Sequence, residues 1–198
     1  MAWAILASGA HLWSTRNYVG DPEKEPGSMR WQEGYAKYGL NGTTDKIIAG
    51  SVYGGFSLLS SGTWGDGDAG AITAGNERRT DVEDAFLGWR SGDLLPALGK
   101  DGVDFSFGRQ LVTVDGFLIT DDGYNPGKAF NPIEGVRDGR FDRGGAFYLG
   151  QRLAFGNTAV LKLGGKEGLH GSLIWLKSDN PGQSKTELAV GTIDYTTA

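Results

Sequence analysis

The chain has 198 residues, 39 % apolar and 22 % charged, enough for one sizeable folded domain and too apolar for a disordered polar chain. It has no cysteine, which excludes disulfide frameworks, thiol catalysis and Cys-based zinc sites. The net charge of −5 argues against a nucleic-acid partner.

Glycine stands out at 34 residues, but 6 prolines and no triplet period exclude collagen. Together with abundant aromatics it suggests strands and tight turns. In chain order, the longest apolar run, Met1 to Ala7, is far short of the roughly 18 residues of a membrane helix. It also lacks the basic start of a signal peptide. An exported protein needs such a signal, so either the chain is not exported or its true start is missing.

Period-two patterning then predicts strands at Trp3–Tyr18, Arg30–Leu40, Lys46–Ser60, Thr80–Arg90, Val103–Val114, Ala146–Phe155, Thr158–Leu163, Leu169–Lys177 and Thr186–Thr196. Helical periodicity is nearly absent. Asp93–Gly99 is the best candidate, and Pro96 limits it to about a turn. Connections alternate between long and short, with a very long one at Asp115–Gly145. Gly164–Gly168 breaks the alternation by being short where a long one is due.

Long loops at one end, shorter turns at the other and strands of about 9 to 15 residues describe an outer-membrane β-barrel better than a soluble sandwich. Aromatics near strand ends (Trp13, Tyr18, Trp31, Trp64, Trp89 and Trp175) fit an interfacial girdle. The expected fold is therefore all-β: an antiparallel up-and-down transmembrane barrel of about nine strands, with 1–198 as one domain carrying a long loop at 115–145.

Four segments, "SMRWQEGYAKYGL", "GSVYGGFSLLSSGTWGDGDAG", "ERRTDVEDAFLGWRSGDLLPALGKDGVDFSFGRQ" and "DRGGAFYLGQRLAFGNTAVLKLGG", resemble the N-terminal half of bacterial outer-membrane channels of the alginate-export and porin type. The most specific piece is "EDAFLGWR" followed by "FSFGRQ". The resemblance implies a monomeric barrel of 16 or 18 strands that passes or exports solutes such as saccharides. It also implies outer-membrane lipid and lipopolysaccharide as surroundings, with no cofactor and no enzymatic activity. An odd strand count, and a final "IDYTTA" without a terminal aromatic, read as a fragment of a larger barrel or a truncated gene product.

The candidate channel lining is Arg90, Arg109, Arg137, Arg140 and Arg143, with Glu83, Asp104 and Gln110; Arg78 and Arg79 lie nearby. A loop as long as Asp115–Gly145 is usually functional. It could fold inward and set a cross-pore field from its arginines and from Asp121, Asp122, Glu134, Asp138 and Asp142, or remain a solvated loop with local ion pairs. Glu83 and Asp84 are adjacent, so a regular strand points them to opposite faces and they are not read as an acid/base pair.

Arg109 raises a separate question, because it shares a strand face with Val103, Phe105 and Phe107. A bulge with left-handed Gly108 would turn Arg109 inward and send Val112 and Val114 toward lipid in place of Leu111 and Thr113. Three weaker motifs remain. His170-Gly171-Ser172 resembles the His-x-Ser of barrel phospholipases and deacylases, but Leu173 follows where Asn is expected and Ser184 stands where the orienting Asn or Glu belongs; Asn180 and Glu187 are the nearest substitutes. "GDGDAG" at Gly65–Gly70 could wrap Ca²⁺, though without the bidentate Glu, or be a flexible tip. His11 is isolated and reads as structural. The rivals to a channel are a soluble all-β carbohydrate-binding module and a barrel hydrolase using Ser172 and His170.

Overall fold

A computed structural model describes residues 1–15, 29–47, 50–114, 117–119, 127, 143–179 and 186–197. The fold is all-β, and no helix among these residues is long and apolar enough to cross a membrane. The strands are β1 (Ala2–Ser14), β2 (Met29–Ile47), β3 (Gly50–Gly65), β4 (Arg78–Arg90), β5 (Val103–Gln110), β6 (Val112–Val114), β7 (Phe117–Ile119), β8 (Phe155–Leu163), β9 (Gly168–Lys177) and β10 (Glu187–Thr196). Eight of them form one open antiparallel sheet in the order β1-β2-β3-β4-β5-β8-β9-β10, and β6 pairs with β7 as a separate hairpin. The Pro96-limited turn is a 3-10 turn at Pro96–Leu98.

Several expected boundaries move. "NGTTD" is not a turn: Asn41 to Thr44 continue β2, paired with Gly55 back to Val52. Both Thr43 and Thr44 also donate a side-chain hydrogen bond to the Val52 carbonyl, which holds this stretch in the ladder. The predicted strand Val103–Val114 breaks at Leu111, where the chain leaves the sheet.

The predicted strand Ala146–Phe155 is absent. Gly144, Gly145, Ala146 and Gly150 all have positive φ, which no continuous strand accommodates. Instead 143–154 is an irregular strap with a 3-10 turn at Phe147–Leu149. Its removal from the ladder makes β8 pair directly with β5. The short connection 164–167 then falls at the end where a short one is due. By strand order, β1 leads to β2, β3 to β4, β5 to β8 and β9 to β10 from one end of the sheet, and β2 to β3, β4 to β5 and β8 to β9 from the other.

The two faces differ in chemistry. Cross-strand partners share a face, and one face carries Trp3 opposite Leu40, Leu40 opposite Phe56, Leu87 opposite Phe107, and Leu161 opposite Leu173. Large apolar side chains here stand open: Trp3 is 80 % exposed and Ile193 84 %. The opposite face carries Lys37, Ser57, Ser61, Thr63, Asp84, Arg90, Asp104 and Ser106, and it is the face that the strap and β6 cover. The conventional core is correspondingly small. Val112, Phe155, Val160, Ile174 and Leu176 form one cluster, and Met29, Trp31 and Ala69 another.

Candidate functional site

The polar face gathers its charges in two places. Toward the long-connection end, β4 carries a bulge: Ser57 pairs with Asp84 and Leu58 with Val82, leaving Glu83 without a cross-strand partner. This corrects the expectation that Glu83 and Asp84 diverge, because the extra residue brings both carboxylates to one face. Asp84 takes the Ser57 hydroxyl at 2.6 Å and the Lys37 ammonium at 2.6 Å. Glu83, 1 % exposed, accepts the Leu153 and Ala154 N–H groups at 2.8 and 3.0 Å through one oxygen. Its other oxygen lies 4.0 Å from the Arg109 guanidinium.

Arg109 pairs with Ala85, whose other partner Phe56 is on the open face, yet its side chain is only 13 % exposed and its guanidinium reaches Glu83 on the covered side. It donates to the Glu83 carbonyl at 3.0 Å and bonds Asp179, which Arg143 also approaches at 3.4 Å. Gly108 has the expected left-handed backbone, but the expected bulge in β5 is not formed. Its φ is +118°, a Cβ there would meet the Ala85 carbonyl oxygen at 2.4 Å, and pairing with β8 slips between Gly108 and Gln110. Pairing with β4 stays regular through Ala85 and Arg109, and the extra residue of the slip lies in β8, where Gly156 and Asn157 stand against Arg109 alone. The second part of that expectation also fails. Val112 does not face outward; it is 3 % exposed and packs on Phe155, Val160, Ile174 and Leu176, because β6 has left the sheet and folded over it.

The other predicted residues fall as follows. Arg90 and Asp104 sit opposite one another near the short-turn end, joined at 3.0 Å, with the Tyr53 hydroxyl on Asp104 at 2.5 Å and the Arg90 guanidinium 4.2 Å above the Tyr53 ring. Gln110 is buried and donates to the Ser106 and Thr158 hydroxyls at 3.0 and 2.7 Å, which holds the slipped junction of β5 and β8. Arg78 lies over the Trp64 ring, and Arg79 pairs with Asp81. Arg137, Arg140 and the loop carboxylates Asp121, Asp122, Glu134, Asp138 and Asp142 lie outside the described residues.

The strap itself holds what sequence reasoning missed. Arg152 is 1 % exposed, and its guanidinium donates to the Arg143 carbonyl at 2.7 Å, the Leu59 carbonyl at 3.4 Å, the Arg79 carbonyl at 3.5 Å and the Ser61 hydroxyl at 3.3 Å. Burial pulls its pKa down to about 10. The strap N–H groups of Ala146 and Tyr148 are taken by the Thr63 hydroxyl and the Glu33 carboxylate at 2.8 and 2.9 Å. Side chains of β2, β3 and β4 thus accept strap backbone donors, and Arg152 answers with donors to backbone carbonyls.

Of the weaker motifs, "GDGDAG" folds in on itself. Asp68 is fully buried and accepts from the Gly70 and Thr73 N–H groups and the Thr73 hydroxyl, while Asp66 accepts from the Arg30 N–H. No group of three potential metal-ligating side chains occurs among the described residues. His170 and Ser172 share the polar face, but Ser172 bonds the Thr192 hydroxyl at 2.8 Å and His170 Nδ1 bonds the Gly168 carbonyl at 3.0 Å. Asn180 lies outside the described residues, and Glu187 pairs with Lys177. His11 sits on the apolar face opposite Gln32.

Comparison of the chain with protein-family models, with curated proteins and with solved structures gives no match.

Proposed function

We propose that this sheet is the wall of a β-barrel channel in the bacterial outer membrane, of the porin type, which passes small polar solutes without enzymatic chemistry. The observation that carries the reading is the inversion of the faces. The open face is apolar across adjacent strands, from Trp3 and Ile5 through Phe56, Leu87 and Phe107 to Leu173 and Ile193. The covered face is lined with serine, threonine and charged side chains. A soluble protein seldom leaves so continuous an apolar surface in water, whereas a lipid-facing barrel wall requires one. Trp13 and Trp64 toward one end, and Trp89 and Tyr195 toward the other, suit the two interfaces.

In this reading the strap and β6 narrow the lumen, and Arg109, Glu83, Arg143 and Asp179 set opposed charges across it. In lipid an open sheet edge cannot stand, so the reading requires the outer edges of β1 and β10 to be paired, with each other or with further strands. Reconstitution in planar bilayers tests it. Stepwise conductance whose ion selectivity changes in Arg109→Gln is expected, and the absence of any conductance would sink the proposal.

A further inference from the structure

The inner face of β8, β9 and β10 carries a second polar site, at the opposite end from Arg109, and the channel reading does not use it. A cavity of about 320 Å³ lies there, with β6 forming part of its wall. That is at the lower end of the ~300–1,000 Å³ typical of small-molecule sites. The sheet register orders its side chains in two rows. Lys162 lies between Ser172 and Asp104, the latter already engaged by Arg90 and Tyr53, and Ser172 lies opposite Thr192; one step nearer the short turns, His170 lies opposite Asp194. Lys166, in the β8–β9 turn, also lines the cavity.

The unused hydrogen-bonding capacity in the two rows is of opposite kinds. Asp194 Oδ2 is buried without a partner. The Gly168 carbonyl can only accept, so His170 donates to it through Nδ1, and the Nδ1–H tautomer of the ring keeps Nε2 as an acceptor. This row therefore calls for hydroxyl donors. Among the described residues, neither Lys162 nor Lys166 is in an ion pair, so these ammoniums call for an anion. The hydroxyl pair Ser172–Thr192, 2.8 Å apart, can donate or accept between them. Residues two apart on a strand are separated by roughly 7 Å, so inorganic phosphate is too short to meet both rows. A six-carbon hydroxy-acid is long enough.

We infer that this cavity binds a small polyhydroxylated carboxylate, its carboxylate on Lys162 and Lys166 and its hydroxyls on Asp194 and His170. Isothermal titration calorimetry of the full chain in detergent, with D-gluconate as the probe, tests this. Gluconate is expected to bind at least tenfold more tightly than glucose, which lacks the charge, and than phosphate, which lacks the hydroxyls. Lys162→Met and Asp194→Asn should each weaken gluconate tenfold or more. Asp194→Asn preserves the side-chain shape, so it decides the question if Lys162→Met fails to fold as judged by far-UV circular dichroism. No heat of binding with the wild-type chain, equal binding of glucose or phosphate, or an unchanged affinity in Asp194→Asn would each overturn the assignment. Binding is read by calorimetry and passage by conductance, so either can fail without the other.

Discussion

The covered face of the sheet has two coverings, and they hold by different forces. Over β8 to β10, β6 lies on an aliphatic patch: Val112 against Val160, Ile174 and Leu176, with Val190 alongside. Over β2 to β4, the strap lies on polar side chains, and its attachment is a set of hydrogen bonds between its backbone N–H groups and Glu33, Thr63 and Glu83. The first contact is tolerant, because apolar burial is non-directional. The second is exacting, because each buried polar group has one place to be satisfied and costs about 1–3 kcal/mol when orphaned. A cover that narrows a water-filled passage gains from the exacting kind, which fixes position as well as proximity.

The largest expected effect is at Arg152. Its guanidinium meets three carbonyls and one hydroxyl in a fully buried place. Arg152→Ala leaves these acceptors unpaired beside a cavity, and should cost about 3 kcal/mol or more. Urea unfolding in detergent, followed by tryptophan fluorescence, measures it; a loss below about 1 kcal/mol would mean that the strap is not anchored there. Glu83→Ala comes next, at about 2–3 kcal/mol, since it frees the Leu153 and Ala154 N–H groups from a charged acceptor. If the strap narrows a channel, the same variant should also raise single-channel conductance.

How much of this was legible before the structure can be judged residue by residue. Alternation located most strands, and the arginine among phenylalanines at Phe105, Phe107 and Arg109 pointed to a left-handed Gly108 but placed the extra residue in β5, whereas it lies in β8. The strap was not legible, because Phe147, Leu149, Leu153 and Phe155 alternate like a strand. Its glycines are the contrary signal, since Gly144, Gly145 and Gly150 take positive φ, and with the strap out of the ladder the short turn at 164–167 falls into the alternation. Asn41-Gly42 reads as a turn by local preference, yet the ladder with β3 runs through it. The bulge at Glu83 leaves no local trace. It exists because a carboxylate there meets strap N–H groups some 70 residues away in the chain.

Gly108→Ala sharpens the comparison from the sheet side. A Cβ at a φ of +118° is strained and meets the Ala85 carbonyl oxygen, so about 2 kcal/mol should be lost. Release of the slip would disengage Arg109 from Asp179. Chymotrypsin cleavage at Leu111, 39 % exposed, should then accelerate relative to wild type, and an unchanged rate would uncouple the slip from the start of the cover.

The smallest effect belongs to the apolar side. Val112→Ala removes two methyl groups from the patch on Val160, Ile174 and Leu176 and should cost about 1.5 kcal/mol at ~0.8 kcal/mol per buried carbon. The decisive contrast is with shape-preserving changes. Val112→Thr keeps the volume but buries a hydroxyl among aliphatic carbons, so it should be no better than Val112→Ala. Glu83→Gln also keeps the shape, but its amide oxygen still accepts the strap N–H groups, so it should recover at least half of what Glu83→Ala loses. Urea midpoints for the four variants decide the matter. If threonine is tolerated at 112 while glutamine fails at 83, attachment over β2 to β4 depends on charge rather than on the geometry of acceptance, and the contrast between the two coverings would have to be redrawn on that basis.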